Sequence, residues 1–126
     1  MNEARRVAFL GAGKMGEALV SGLIRSGGRT AEEIMVTARR EDRVQELADR
    51  YGVEASLSNA EAAGWARTLV LTAKPQDMDA LLEQVGGSIT TDHLVISFAA
   101  GIRCASIESQ LEGPVPVVRV MSNVPV

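Results

Sequence analysis

An α/β domain built on a doubly wound, mainly parallel sheet is what this sequence predicts, and three observations lead there. Short apolar runs alternate with segments of helical periodicity along the chain. The run Val7-Ala8-Phe9-Leu10 leads straight into Gly11-Ala12-Gly13-Lys14-Met15-Gly16, a Gly-x-Gly-x-x-Gly turn that opens a helix. The later run Thr68-Leu69-Val70-Leu71-Thr72-Ala73 is almost continuously apolar, as a central parallel strand covered on both faces must be.

Each element follows in order. Val7 to Leu10 form the first strand. Gly11 then allows a tight turn, Gly13 removes the side chain that would block a pyrophosphate, and Gly16 lets the next helix pack closely on the strand. That helix covers residues 14–26, with Met15, Ala18, Leu19, Gly22 and Leu23 as its apolar stripe and Ser26-Gly27-Gly28 as its stop. Ile34 to Thr37 read as the second strand. Glu41 to Tyr51 place Val44, Leu47, Ala48 and Tyr51 on one helix face, with Gly52 as the C-terminal cap. Val53 to Ala55 form a short third strand, and Ser58-Asn59-Ala60-Glu61 has the capping-box form that opens a small helix toward Trp65.

Thr68 to Ala73 are the fourth strand. Pro75 suits the first turn of the helix that carries Met78, Leu81, Leu82 and Val85 and stops at Gly86-Gly87. Leu94 to Phe98 give the fifth strand, Ser106 to Leu111 a short helix, and Val115 to Met121 a final strand interrupted early by Pro116. The expected arrangement is Rossmann-like, with strand order 3-2-1-4-5-6 and a ligand across the carboxyl ends of the strands beside strand 1. Gly11-Ala12-Gly13, Thr37-Ala38-Arg39-Arg40, Ala73-Lys74-Pro75-Gln76 and Ala99-Ala100-Gly101 all follow strands, so these turns are expected to line one crevice.

The 126 residues are expected to form a single dinucleotide-binding domain. With 46% apolar and 23% charged residues and a net charge of -3, the composition is that of an ordinary soluble globular protein. Its mild acidity argues against nucleic-acid or anionic-membrane binding. No run approaches the ~20 apolar residues of a membrane span, and Met1 to Arg6 lead into a strand and glycines rather than a signal-peptide core. A cytoplasmic location is therefore expected. Cys104 and His93 are the only residues of their types, which excludes an intramolecular disulfide and argues against a His/Cys metal cluster. Cys104 reads as a small, partly buried helix residue, and His93 as a polar loop residue with no catalytic role.

The residues after the second strand bear on the choice of nucleotide. A domain that binds the 2′-hydroxyl of NAD usually carries Asp or Glu there, about 20 residues beyond the glycines. This chain carries Thr37-Ala38-Arg39-Arg40 instead, with two guanidinium groups suited to a 2′-phosphate. NADPH is expected over NADH, with NADH still possible. The alternative for Arg39 and Arg40 is a solvated pair at a helix start. Asn59 is placed either at the adenosine or in a helix cap. Lys14 either attracts phosphate or faces solvent, and Lys74 reads first as backbone shape, set by Pro75.

Together the blocks Phe9 to Ala18, Thr72 to Gln76, Ile96 to Ile102 and Arg119 to Pro125 resemble the N-terminal domain of pyrroline-5-carboxylate reductase, and the resemblance covers nearly the whole chain. It implies reduction of the cyclic imine of 1-pyrroline-5-carboxylate to L-proline by hydride from NAD(P)H, the last step of proline biosynthesis. By matching position it implies that Leu10, Gly11, Ala12, Gly13, Lys14 and Met15 hold the pyrophosphate. Thr72, Ala73, Lys74 and Pro75 would run along the cofactor, and Ala99, Ala100, Gly101 and Asn123 would lie near the nicotinamide. The sequence departs from the family pattern at Ser122, commonly Pro, and at Val124, commonly Thr.

Enzymes of the family continue into a helical domain that forms a homodimer and binds substrate. The chain is accordingly read as the cofactor-binding part of a longer reductase, expected to bind NADPH and to turn over little or no substrate by itself. No catalytic residue is assigned within it. Apolar surface near Val120 to Val126 is expected to favour association. The alternatives are a stand-alone NADP(H)-binding or sensing module without catalysis, and a related reductase such as an F420-dependent NADP oxidoreductase or a β-hydroxyacid dehydrogenase. The Arg119-to-Pro125 block argues against the related reductases.

Overall fold

The computed structural model describes residues 3–99 and 101–120. Among the described residues six strands, numbered in chain order, form one sheet in the order β3-β2-β1-β4-β5-β6, and its five pairings are all parallel. Strands β1 (Val7–Leu10), β2 (Ile34–Thr37), β4 (Thr68–Leu71) and β5 (Leu94–Ser97) span the positions expected, the last two ending slightly sooner. Every residue of β1 and β2 is buried, because helices cover both faces. Val7 and Phe9 of β1 pack on one side with Val20 of α1 (Lys14–Ser26) and Leu47 of α2 (Glu41–Tyr51). Ala8 and Leu10 pack on the other with Ala62 and Ala63 of α3 (Asn59–Trp65) and Leu81 and Leu82 of α4 (Met78–Val85). The period of two along the strand thus separates two cores.

Several expected boundaries move. Strand β3 is Glu54–Ser56, one residue later, since Met35, Val36 and Thr37 pair with Glu54, Ala55 and Ser56 and leave Val53 to the core. Pro75 does not start the α-helix itself: Pro75–Asp77 form a 3-10 turn that runs into α4. Helix α5 is Cys104–Glu108, earlier than expected, and Leu111 reaches the core from the turn beyond it. Cys104 opens this helix and is partly buried, as expected. Strand β6 is Val117–Arg119, shorter than expected, and begins only after Pro116, which has no N–H to pair.

The buried face of α1 is also rotated from the expected stripe. Gly16 and Val20 are buried, with Leu19, Leu23 and Ile24 packed beside them, whereas Met15 is 38% exposed and Ala18 faces water. Close packing at Gly16 decides the rotation. A Cβ there would lie 3.0 Å from Thr72 Oγ1 and 3.1 Å from the Ala12 Cβ, so the helix is set down along Gly16 and Met15 is carried outward.

His93 lies in the loop just before β5, as expected. It is buried at the amino end of β5; its Nδ1 accepts the Thr90 N–H at 2.9 Å, so Nε2 carries the proton and donates to the Ala63 carbonyl at 2.7 Å. The ring thereby ties the entry of β5 to α3. On the α1 side of the sheet, Leu94, Val118 and Val120 remain exposed next to half-buried Ile96 and Phe98. Of the expected apolar surface from Val120 to Val126, only Val120 lies within the described residues.

Candidate functional site: a crevice at the sheet switch point

Helices leave β1 and β4 on opposite sides of the sheet, and the gap opens where their carboxyl ends meet. A crevice of about 660 Å³ lies there. It brings together Gly11, Ala12, Gly13, Arg39, Arg40, Asn59, Thr72, Ala73 and Lys74, all expected from sequence. The other described residues expected there do not line it, the turn at Ala99 and Gly101 included. Leu10 is fully buried and presents only its carbonyl, which accepts the Thr72 N–H at 3.1 Å and the Thr72 hydroxyl at 3.2 Å. Met15 and Pro75 are exposed beside the crevice, and Lys14 borders a separate shallow groove with Glu17 and Tyr51. Ala99 is buried in the core, and Gly101 turns the chain at φ +77°. Ala100 and Asn123 lie outside the described residues.

The three glycines of the turn differ in what constrains them. Gly11 has φ +78°, and a Cβ on it would meet the Ala73 Cβ at 2.8 Å, so backbone conformation and packing both demand glycine. Gly16 is demanded by packing alone. Gly13 is exposed, has φ -99°, and a Cβ on it would touch nothing within 4 Å. It caps α1, whose first N–H groups have no intrahelical acceptor and whose dipole favours an anion.

Thr37, in a turn expected to line the crevice, does so, and polar residues of the helix after β4 that the sequence reading did not assign complete the lining. Thr37, at the end of β2, accepts the Gly11 N–H through Oγ1 at 3.0 Å, and its carbonyl accepts the Ala12 N–H at 2.7 Å. Its hydroxyl donates to Asn59 Oδ1, and Asn59 Nδ2 donates to Gln84 Oε1 at 2.8 Å. Asn59 therefore does not cap α3; Ser58 does, accepting the Glu61 N–H at 3.1 Å. Asp77 and Gln84 line the crevice together with Leu81. Their spacing of four and three residues along one helical face is the signal that would have found them.

Arg39 and Arg40 are both largely exposed. Arg39 forms an ion pair with Asp77 across the mouth of the crevice, and Arg40 lies 3.4 Å from Asp42. A third guanidinium, Arg43, also lines the crevice but is committed elsewhere: it donates to Glu17 at 2.9 Å and to the Gly13 carbonyl at 3.3 Å, and pairs with Glu46. Glu17 also accepts the Tyr51 hydroxyl at 2.6 Å and pairs with Arg50. The Tyr51 bond and then the two arginines hold the Glu17 carboxyl at a pKa of about 2. This cluster fastens α1 to α2 directly behind the glycine turn.

Comparison with known proteins fits this geometry. The family model described as NADP oxidoreductase, coenzyme F420-dependent, matches residues 6–101, a span that runs from β1 through β5 and includes the glycine turn and the crevice. The chain belongs to that family. Over a longer stretch it is similar to pyrroline-5-carboxylate reductases, matching their N-terminal domain. The enzyme of Corynebacterium melassecola is 41% identical over 122 residues, covering 94% of this chain and 45% of that protein. The solved pyrroline-5-carboxylate reductase of Coxiella burnetii superposes with a TM-score of 0.87 at 32% identity, covering 98% of this chain and 46% of that one. The pyrroline carboxylate reductase of Plasmodium falciparum, solved with NADP bound, has a TM-score of 0.80 at 21% identity over 96% of this chain and 43% of its own, a likeness of fold. The chain spans less than half the length of these relatives.

Proposed function

We propose that this chain is the NADP(H)-binding domain of a pyrroline-5-carboxylate reductase, an oxidoreductase of proline biosynthesis that reduces a small cyclic imino acid to L-proline. The observation that carries the nucleotide part is Gly13. Two glycines of the turn are accounted for by the fold itself, while the third has open crevice where its Cβ would be, as required where a pyrophosphate approaches the backbone. The dinucleotide fits this donor set. The N–H groups at the start of α1 would hold its phosphates, the Arg39-Arg40 turn its 2′-phosphate, and the Thr72-Ala73-Lys74 loop its length. Ala99, Ala100, Gly101 and Asn123 are assigned to the nicotinamide end by resemblance. The chemistry that a dinucleotide held there would supply is hydride for the imine carbon. The chain's part is to orient the dinucleotide and to keep the crevice floor small.

The substrate assignment rests on relatives that are more than twice as long as the chain. Calorimetric titration with NADPH and NADH, followed by an imine-reduction assay on the same preparation, tests both parts. Tight NADPH binding with little or no turnover is the expected result, and failure to bind either nucleotide would overturn the proposal. The family description favours a second reading, an F420-dependent NADP oxidoreductase. NADPH-dependent reduction of that coenzyme by the full-length protein, with no action on the imine, would favour it.

A further inference from the structure

Thr37 is buried, with 1% of its surface exposed, and its one hydroxyl joins two groups from different parts of the chain. On one side is the Gly11 N–H, inside the glycine turn; on the other is the Asn59 amide, at the start of α3 and in turn fixed by Gln84 of α4. The Thr37 carbonyl holds the next N–H of the turn, that of Ala12. Both N–H groups therefore point into the protein. The donors left for an anion are those of Gly13, Lys14 and Met15 at the start of α1.

We propose that Thr37 is a positioning residue for dinucleotide binding: it holds the glycine turn in its anion-accepting shape and couples that shape, through Asn59 and Gln84, to the far wall of the crevice. This rests on the nucleotide reading above. A hydroxyl can accept from Gly11 and donate to Asn59 at once, which neither valine nor alanine can do. The pyrophosphate is common to NADPH and NADH, so a change in turn shape weakens both alike. Arg39 and Arg40, by contrast, act on the 2′-phosphate, which only NADPH carries. The ratio of the two affinities separates the roles.

The test titrates the wild-type chain, T37V and T37S with NADPH and NADH at a temperature where each is folded, and follows exchange of the Gly11 amide proton by NMR. T37V is expected to weaken both nucleotides by the same factor, about tenfold for one lost buried hydrogen-bond junction. It should also speed Gly11 exchange, and T37S should restore both properties. Unchanged affinity in T37V would overturn the proposal. So would a loss confined to NADPH, which would put Thr37 at the 2′-phosphate. If T37V does not fold, N59A takes its place, since it deprives the hydroxyl of its acceptor; faster Gly11 exchange with equal loss of both nucleotides is then expected, and unchanged exchange refutes the coupling. A wild-type chain that binds neither nucleotide would instead defeat the function proposed above.

Discussion

Glu17 offers a perturbation whose size and pH dependence both follow from the structure. Its carboxylate accepts the Tyr51 hydroxyl at 2.6 Å and Arg43 at 2.9 Å, and pairs with Arg50, which lowers its pKa from 4.5 to about 2. A displacement of that size corresponds to about 3 kcal/mol of preference for the charged form. Arg50 is half exposed, so solvent screening reduces the contribution to about 1.5 kcal/mol. Glu17→Gln keeps an acceptor for Tyr51 but removes the charge, and is expected to destabilise the fold by that amount near pH 7. Because the folded pKa lies below the unfolded one, the stabilisation is complete above pH 4.5 and disappears as the pH falls through about 2. Urea unfolding of the wild type and E17Q at several pH values should show a stability gap that shrinks to about half by pH 3. A gap that stays constant from pH 6 to pH 3 would refute the electrostatic account and point to packing.

Gly16→Ala should destabilise the fold by about 1–3 kcal/mol, because the new Cβ would press on Thr72 and Ala12, and denaturant titration measures this. Gly13→Ala should cost less than about 1 kcal/mol in the same experiment yet weaken NADPH at least about tenfold, since its methyl group meets only the ligand. Equal stability loss for the two glycines would contradict the reading of the turn. His93→Ala should cost about 2–4 kcal/mol through the lost bonds to Thr90 and Ala63 and the void it leaves, with nucleotide affinity unchanged because the ring sits at the amino end of the sheet. Replacing Arg39 and Arg40 together with Ala should weaken NADPH about tenfold or more while NADH changes less than about twofold. An equal loss on both nucleotides would show that neither guanidinium reads the 2′-phosphate.

Much of the fold was legible in the residues because local and global signals agreed. Val7 to Leu10 followed by the glycine turn, the capped helix from Glu41 to Tyr51, and the apolar run from Thr68 all lie where pattern and punctuation place them. The strand order follows from alternating elements with short connections. Misread boundaries cluster at short elements; in β3 and β6 register with a neighbouring strand, rather than the segment itself, sets the ends. The burial of His93 was not legible for a related reason: no local pattern tells that Ala63, thirty residues earlier, offers its carbonyl to the ring.

By itself the sequence determined the existence of a nucleotide-type crevice, because the Gly-x-Gly-x-x-Gly spacing, its flanking strand and its helix are contiguous in the chain. It also determined which turns surround that crevice, since each follows a strand and parallel strands end on one side. Only the tertiary structure decided how the lining side chains are committed. Arg43 is tied to Glu17, Arg39 faces Asp77, and Thr37 turns inward to Gly11 and Asn59, pairings that join residues 26, 38, 26 and 22 positions apart. A hydrogen bond or ion pair depends on distances of a few tenths of an ångström between such partners. Those distances exist only once the sheet has brought the strand ends together.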